Sequence, residues 1–530
     1  MTCFAEEAAE HRLASCLMEK SRVRICVPVC VRRAAELAAA IARAAEVADI
    51  VELRLDCLAD NEREAAIPSL AGFLNQLSVP TILTLRSTEQ GGHTSADYQA
   101  RRRFWRSLES LPRNSLIDLE LDLVRDFAAA TGAESWIDWS RVICSHHDFV
   151  SVPSDLEQIY ESMAASPARI LKIAVQADDA SDCLPIFHLL ARARREGREL
   201  IAIAMGQAGI MTRILGPARA AFLTYGSLDD ESATAPGQLA ARQLRDVYRI
   251  DRIDSETEII GLMGKPVGHS LSPHIHNAAF AAAAVNAVYI PFEVADANQF
   301  LRRMAHPQSR ELDWNLRGLS VTAPHKSVVM NQLDWIDAAA KKIGAVNTIL
   351  SKEGELHGYN NDALGFISPL RRKFGSLKGA RCAVIGAGGG ARAAVWALRN
   401  ESSHVVLFAR NPQKARLVAE EFRAVYRPLG TERFDGFDIV VNATPVGTRG
   451  ELEDDTSATA DQLRGVRLAY DLVYNPIETR FLREARAAGC ETLGGIEMLL
   501  AQAVEQFKLW MGTEPDVEVM RAAALRGLGL

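Results

Sequence analysis

The segment from Ala380 to Ala394, ARCAVIGAGGGARAA, passes from an apolar strand pattern through Gly386, Gly388, Gly389 and Gly390 into an alanine-rich helix pattern that begins at Ala391. Glycines let a backbone turn tightly and approach a pyrophosphate, and a helix start offers unpaired N–H groups and a positive dipole end. The glycine spacing alone is weak, since a plain glycine-rich loop shares it. Its place after a strand and before a helix predicts a dinucleotide site. The next apolar run, HVVLFAR, ends in Arg410 where an NAD-binding fold usually carries a ribose-binding acid, and Lys414 follows. Two cations there suit a 2'-phosphate, which predicts NADP rather than NAD.

A second set lies upstream. Lys172 sits among apolar residues in RILKIAV, and burial among other cations would lower its pKa and make it a nucleophile for a Schiff base. Neighbouring strand patterns end in Arg86, Glu120 and the pair His146 and His147, and Arg213 falls in the loop after the seventh. In IVELRLD, period two puts Glu52, Arg54 and Asp56 on one face and Val51, Leu53 and Leu55 on the other. Taken singly, each has a plainer reading. Lys172 would snorkel or pair with Glu120, the arginines would form surface salt bridges, Glu52 would be a strand-end charge in water, and one histidine reads as structural. The convergence of His147 and three arginines on Lys172 favours catalysis.

The elements that would position this set are short β-rich runs recurring about every 30 residues with helical patterns between them, which implies parallel strands and crossover helices. The runs are VRICVPV, IVELRL, TILTLR, LIDLEL, RVICS, RILKIAV, LIAIAM and AFLTYG. Eight units in roughly 230 residues predict a closed (β/α)₈ barrel, with an open doubly wound sheet as the rival, and charges inside a barrel belong at its C-terminal mouth. The fold class is α/β throughout. After a charged stretch the pattern restarts at EIIGLMGKPVGHSLSP, placing a linker near 248–257. Beyond it come Ser270 and Ser272 in HSLSP, Thr322 and Lys326 in VTAPHK, one helical turn apart if the segment coils, Asn347 in GAVNT, and Asn360 and Asp362 in GYNND. Each alone would be a turn or cap residue. Together, ahead of the cofactor strand, they read as polyol recognition.

Composition sets outer bounds. At 530 residues the chain is too long for one core, and a net charge of −7, from 60 Lys and Arg against 67 Asp and Glu without a basic run, argues against nucleic acid and for small-molecule partners. No apolar run reaches membrane-spanning length. The nine cysteines show neither CxxC pairs nor metal-ligand spacing, so they read as buried thiols in a reducing cytoplasm, with no metal implied. The acidic first twenty residues resemble no signal or transit peptide and read as a ragged extension.

The first half resembles type I 3-dehydroquinate dehydratase, in ELRLD, TLRS, SHHDF, LKIAV, MGQAGIMTRILG and TAPGQ, over a barrel at 22–247. The resemblance implies that Lys172 forms an imine with 3-dehydroquinate, that His147 moves the protons and that Glu52 orients His147. Arg54, Arg86, Arg213 and Gln238 would hold the substrate. Thr234 stands where that family usually has Ser, and Gln90 where it carries Glu, beside Glu89.

The second half resembles shikimate dehydrogenase, with NATPVG, DLVYNP and GGIEMLLAQAVEQF added to the motifs above. This implies a substrate-binding domain at 258–362, completed by C-terminal helices 496–530, around an NADP-binding Rossmann domain at 363–495. Lys326 and Asp362 would be the catalytic pair, with Ser270, Ser272, Thr322, Asn347, Tyr474 and Gln502 on substrate. Asn411, Asn442, Thr444 and Gly495 would join Ala391 and the glycines at the cofactor. Met498, Gln502 and Gln506 share one helix stripe, which would also suit an amphipathic helix without a ligand. Asn361 replaces the family's Thr, and Ala409, Arg410 and Asn411 replace its Asn-Arg-Thr. The expected function is dehydration of 3-dehydroquinate to 3-dehydroshikimate followed by NADPH reduction to shikimate. The alternatives are a quinate-preferring second half, an aldolase-like barrel that would share Lys172 but not the His147 and arginine set, and a non-catalytic metabolite sensor.

Overall fold

The structure is a computed structural model that describes residues 23–63, 72, 74, 75, 77, 79–108, 114–129, 137–430 and 433–530. Cys3, Cys16 and the acidic extension lie outside these. Eight parallel strands form the first unit: β1 (Ile25–Val29), β2 (Ile50–Arg54), β3 (Thr81–Thr84), β4 (Ser115–Glu120), β5 (Val142–Asp148), β6 (Ile170–Gln176), β7 (Glu199–Met205) and β8 (Thr224–Tyr225). Their order, β7-β6-β5-β4-β3-β2-β1-β8, brings the last strand beside the first. Between β7 and β8 the ring is joined by a single bridge, Leu200 to Ala221, so the predicted barrel is nearly rather than fully closed by ladders.

Its interior explains the strand patterns. Cys26, Ile50, Ile82, Leu116, Ile143, Ile170, Ile201 and Leu223, from β1 to β7 in turn and the lead-in to β8, form one buried cluster. Val51, Leu53 and Leu55 instead join the layer shared with the surrounding helices. Two residues further along the inward face the apolar plug gives way to Glu52, Thr84, Asp118, Ser145 and Lys172, all buried. The period-two expectation holds for Glu52 and Arg54, but Leu55–Cys57 leaves the strand as a 3₁₀ turn and carries Asp56 with it. Arg213 lies in the short helix Ile210–Leu215 rather than in a loop.

The expectation of free thiols fails at one place. Cys30 and Cys57 are disulfide-bonded, with Cα atoms 5.4 Å apart. They are 27 positions apart in sequence, and only the pairing of Val29 with Leu53 in adjacent strands brings them together. Cys26, Cys144, Cys183, Cys382 and Cys490 are buried free thiols.

The second half contains two sheets. The first runs β10 (Ala287–Glu293), β9 (Glu258–Gly264), β11 (Leu316–Val321), β13 (Thr348–Lys352), β14 (Glu355–Tyr359) and β12 (Trp335–Ile336). The second is parallel throughout: β17 (Val425–Pro428), β16 (His404–Ala409), β15 (Arg381–Ile385), β18 (Ile439–Asn442), β19 (Leu468–Asp471) and β20 (Glu491–Leu493). Along β15, Cys382 and Val384 enter one apolar cluster and Ala383 and Ile385 another, so both faces are covered, as in a doubly wound sheet. The helix Gly495–Met511 follows β20 but returns to the first sheet, where Leu499, Leu500, Ala503, Phe507 and Trp510 pack with Ile260 and Leu262. Among the described residues no helix is long and apolar enough to cross a membrane.

Candidate active sites

At the barrel mouth one pocket is lined by Glu52, Arg54, Arg86, Gln90, His147, Lys172, Arg213, Tyr225, Thr234 and Gln238, with Met205, Phe149 and other apolar groups between them. Every barrel residue singled out for chemistry is therefore in one place, apart from Asp56, His146 and Glu120. The surroundings of Lys172 differ from the expectation. Its Nζ lies 2.9 Å from Asp118 Oδ2, 3.2 Å from Glu52 Oε1 and 2.8 Å from the Tyr225 hydroxyl, so carboxylates and a phenol, not cations, are its nearest partners. Glu120 pairs instead with Arg86 and Arg101, and the oxygen facing Arg86 also accepts the Ser87 N–H.

This network fixes the charges. Burial would push the Asp118 carboxyl up, but Arg86, at 2.7 Å, and Lys172 hold it down at about 2. Burial pulls the Arg86 guanidinium down, and Asp118 and Glu120 more than reverse it. The Tyr225 phenol is pushed well above its usual range by burial and by Glu52, so it stays protonated and can donate. Burial, then the positive charges of Arg86, Lys172 and Arg54, push the His147 imidazole well below 6.5. It is a neutral base.

Two implied contacts are arranged differently. The Glu52 carboxylate accepts from Thr84 (2.8 Å), Lys172 and Tyr225, whereas His147 Nδ1 is buried without a hydrogen-bond partner. Glu52 orients the lysine, not the imidazole. Gln90 Oε1 accepts the His147 backbone N–H at 3.1 Å, and Glu89 is exposed and outside the pocket lining. Arg213, with its pKa brought down to about 10 by burial, donates to the carbonyls of Pro236 and Gly237. It thereby braces the loop on which the backbone N–H of Thr234 donates to Gln238 Oε1 at 2.8 Å. Asp118, Ser145 and Tyr225 were missed in the sequence. The period-two step from Asp118 to Glu120 in LIDLEL was the available signal for the first.

The second pocket lies between the sheets of the second half and is lined by Ser270, Ser272, Thr322, Lys326, Asn347, Tyr474, Gln502 and Gln506, with His269 and Ser320. Lys326 Nζ lies 2.5 Å from Asp362 Oδ2, and the other carboxylate oxygen accepts from Asn347 Nδ2 at 2.8 Å. Thr322 and Lys326 are not on a helix, because the chain runs through two tight turns there and Lys326 is fixed by its carbonyl accepting from Val346 N–H at 2.7 Å. Gln502 lies 3.4 Å from Asn347. Gln506 binds Ser320 and Thr348, which ties the stripe of the returning helix to the cleft floor, while Met498 packs in the parallel-sheet core.

The parallel sheet offers a dinucleotide cradle beside this cleft. Gly386 has φ +122° and would place a Cβ 2.7 Å from the Ala443 carbonyl, so only glycine makes that turn. Gly388 caps the helix Gly389–Asn400 without a side-chain hydrogen bond, leaving its first N–H groups to a ligand, and the site lies at the switch point between β15 and β18. Arg410, Asn411 and Lys414 are exposed beyond β16, with Asn411 capping the next helix. These residues fit an NADP-type ligand. Asn442 is fully buried and holds the turn through Thr444, and Gly495 packs against the Leu472 and Val473 carbonyls, so these two shape the cradle rather than line it.

The chain matches the family model for type I 3-dehydroquinase over residues 25–255, the shikimate dehydrogenase substrate binding domain over 262–349, shikimate / quinate 5-dehydrogenase over 369–464 and the shikimate 5'-dehydrogenase C-terminal domain over 495–525. It is 33% identical to a chloroplastic bifunctional 3-dehydroquinate dehydratase/shikimate dehydrogenase from Arabidopsis thaliana, over 97% of this chain and 86% of the relative. Its second half is 36% identical to shikimate dehydrogenase (NADP(+)) of Methanocaldococcus jannaschii, over 52% of this chain and 98% of the relative. A similar enzyme of Methanopyrus kandleri is 38% identical over 52% of this chain and 98% of the relative.

Proposed function

The chain belongs to the bifunctional 3-dehydroquinate dehydratase/shikimate dehydrogenase family, and from that premise we propose how its two pockets divide the work. The barrel is a lyase that dehydrates 3-dehydroquinate, and the second half is an NADP-dependent oxidoreductase that reduces the product, 3-dehydroshikimate, to shikimate. Both steps belong to the shikimate pathway.

In the barrel, Lys172 Nζ attacks the substrate ketone and water leaves as the imine forms. The protonated imine acidifies the neighbouring C–H. Neutral His147, aimed into the same pocket, takes that proton and returns it to the departing hydroxyl, and a water then hydrolyses the imine to release 3-dehydroshikimate and the Lys172 amine. Glu52, Asp118 and Tyr225 hold the lysine amine in place. Arg54, Arg86 and Arg213, with Thr234 and Gln238, bind the carboxylate and hydroxyls or brace the loop that does.

In the second pocket, NADPH when bound would supply the hydride. Lys326, aimed by Asp362, hydrogen-bonds the carbonyl oxygen and provides the proton as negative charge develops there. Asn347 holds Asp362, and Ser270, Ser272, Thr322, Tyr474 and Gln502 bind the substrate's carboxylate and hydroxyls. Gly386, Gly388, Gly389, Gly390 and Ala391 would cradle the pyrophosphate, and Arg410 and Lys414 would hold the 2'-phosphate. Five buried free thiols suit a reducing compartment, and we place both reactions in the cytoplasm.

The observation that carries this reading is the buried Lys172 amine sharing one pocket with neutral His147 and three arginines. Adding 3-dehydroquinate alone to the protein with NADPH tests it. Stoichiometric NADPH consumption with shikimate as product is expected. Consumption only on adding 3-dehydroshikimate would remove the barrel's assignment.

A further inference from the structure

The barrel mouth carries a sulfur pair that the dehydration chemistry does not use. Cys30 is exposed just beyond β1, while Cys57 is 9% exposed at the end of the 3₁₀ turn after β2. The His93 imidazole lies within 4.8 Å of both sulfurs. The cross-link is next to the residue that sets Arg54. Asp56, the neighbour of Cys57, accepts from Arg54 Nε at 3.0 Å and Nη2 at 2.8 Å, and from the His93 backbone N–H at 3.1 Å. Burial raises the Asp56 carboxyl, but Arg54 more than offsets this and keeps it ionised. The segment from Ser87 to Thr94 that carries His93 also carries Gln90, whose side chain holds the His147 backbone. Asp56 is thus a positioning residue, held in a turn that the Cys30–Cys57 bond ties to the neighbouring strand.

We propose that Cys30–Cys57 is a thiol–disulfide exchange site for a dithiol reductant, and that its state tunes substrate binding in the barrel pocket while leaving the second pocket alone. Disulfides in a reducing compartment are mostly transient or regulatory, and an accessible sulfur is the one attacked. A thiolate of the dithiol attacks the exposed Cys30 sulfur, the Cys30–Cys57 bond breaks, and the Cys57 thiolate leaves with its electron pair, taking a proton from water. The second thiol of the reductant then attacks the mixed disulfide and releases Cys30 as a thiol. The reductant ends as its own disulfide, and two electrons and two protons end on Cys30 and Cys57. With the tie gone, the turn bearing Asp56 relaxes, and Arg54 and the Ser87–Thr94 segment lose their fixed placement. The effect on dehydration rests on the function proposed above; the exchange itself does not.

The test equilibrates the full chain in graded ratios of reduced and oxidised dithiothreitol, a dithiol, alkylates free thiols, and reads the cross-link by peptide mass. KM and kcat for 3-dehydroquinate, shikimate oxidation, and amide hydrogen exchange over 87–94 are measured on the same samples. The cross-link should form and break reversibly. Reduction should raise KM for 3-dehydroquinate about five- to tenfold, below the roughly 100-fold that a 1 Å misplacement can cost, with kcat nearly constant. It should also speed exchange over 87–94 and leave shikimate oxidation unchanged. Cys30→Ser, at an exposed position, should show the reduced behaviour in every buffer, and Cys57→Ser should match it. Free thiols at every dithiothreitol ratio, or a cross-link intact at every ratio, would overturn the proposal, as would a cross-link whose formation moves neither KM nor exchange, or a reduced pair that retains zinc with His93. Absence of dehydration in both states would instead sink the assigned function, and the cross-link and exchange readouts would still decide this one.

Discussion

The two pockets solve different chemical problems, and their construction differs accordingly. In the barrel the reactive atom belongs to the protein, so Lys172 is buried and surrounded by Asp118, Glu52 and Tyr225, each of which is itself tied to further groups. Charged groups so far from water persist only when paired and hydrogen-bonded, and that pairing also aims them. The second pocket is built around the charged pair Lys326–Asp362, with a border of hydroxyl and amide groups. There the reactive hydride comes with the cofactor, and the protein's work is to leave backbone N–H groups and space at Gly386 to Gly390. A self-supplied nucleophile requires a dense internal network; a borrowed one requires a gap.

The strongest way to separate them is Lys172→Ala. Dehydration should fall by at least about 10³-fold, since covalent catalysis and orientation are lost together, while shikimate oxidation stays within about twofold. Borohydride with 3-dehydroquinate should label Lys172 in the wild type alone, and a label elsewhere would end the imine assignment. The converse comes from Lys326→Ala and Asp362→Asn, each expected to lower reduction by about 10²- to 10³-fold with dehydration intact. Parallel damage to both activities would mean that the pockets are not independent.

At the cofactor, Arg410→Ala should raise KM for NADPH about tenfold and leave that for NADH unchanged, because only the former carries the 2'-phosphate. An unchanged preference would remove Arg410 and Lys414 from the site. Of similar size in the barrel, Tyr225→Phe should slow dehydration about tenfold by removing the hydroxyl that meets Lys172, a hydrogen bond to a charged group. A wild-type rate would show that Glu52 and Asp118 suffice.

How far the sequence revealed this depends on the range over which each feature is encoded. The eight strands and the glycine turn are local patterns of period two and of strand, glycine and helix, and they appear in the structure where the pattern puts them. The partners of Lys172 come from β2, β4 and β8, brought together only by closure of the ring, and Asp118 in LIDLEL looks like any acid on an alternating strand. The cysteine pair likewise depends on strand register. VTAPHK failed in the other direction: its spacing suits one helical turn, but the backbone folds into successive turns and places Lys326 by other contacts. Motif membership points Gly495 and Asn442 at the cofactor, while their packing shows them supporting the backbone.

The finest difference between the pockets concerns Gln90, where the barrel holds a neutral amide on the His147 backbone instead of a carboxylate. His147 is buried among cations with its pKa well below 6.5, so protonation takes it out of action only at lower pH. With wild type, kcat/KM for 3-dehydroquinate should therefore show no loss near pH 6.5 and an acid limb below it. Gln90→Glu keeps an acceptor for the backbone N–H and adds a negative charge in the same pocket, which favours the imidazolium and offsets Arg86, Lys172 and Arg54. The acid limb should move up toward 6.5, and dehydration above it should quicken about threefold as the base strengthens. Glu89→Gln should do neither, because Glu89 is exposed and outside the pocket lining. The pH profile of the second pocket should be the same in all three proteins. A limb that stays put in Gln90→Glu would show that the residue serves only to hold the His147 backbone and that charge at this position does not reach the imidazole.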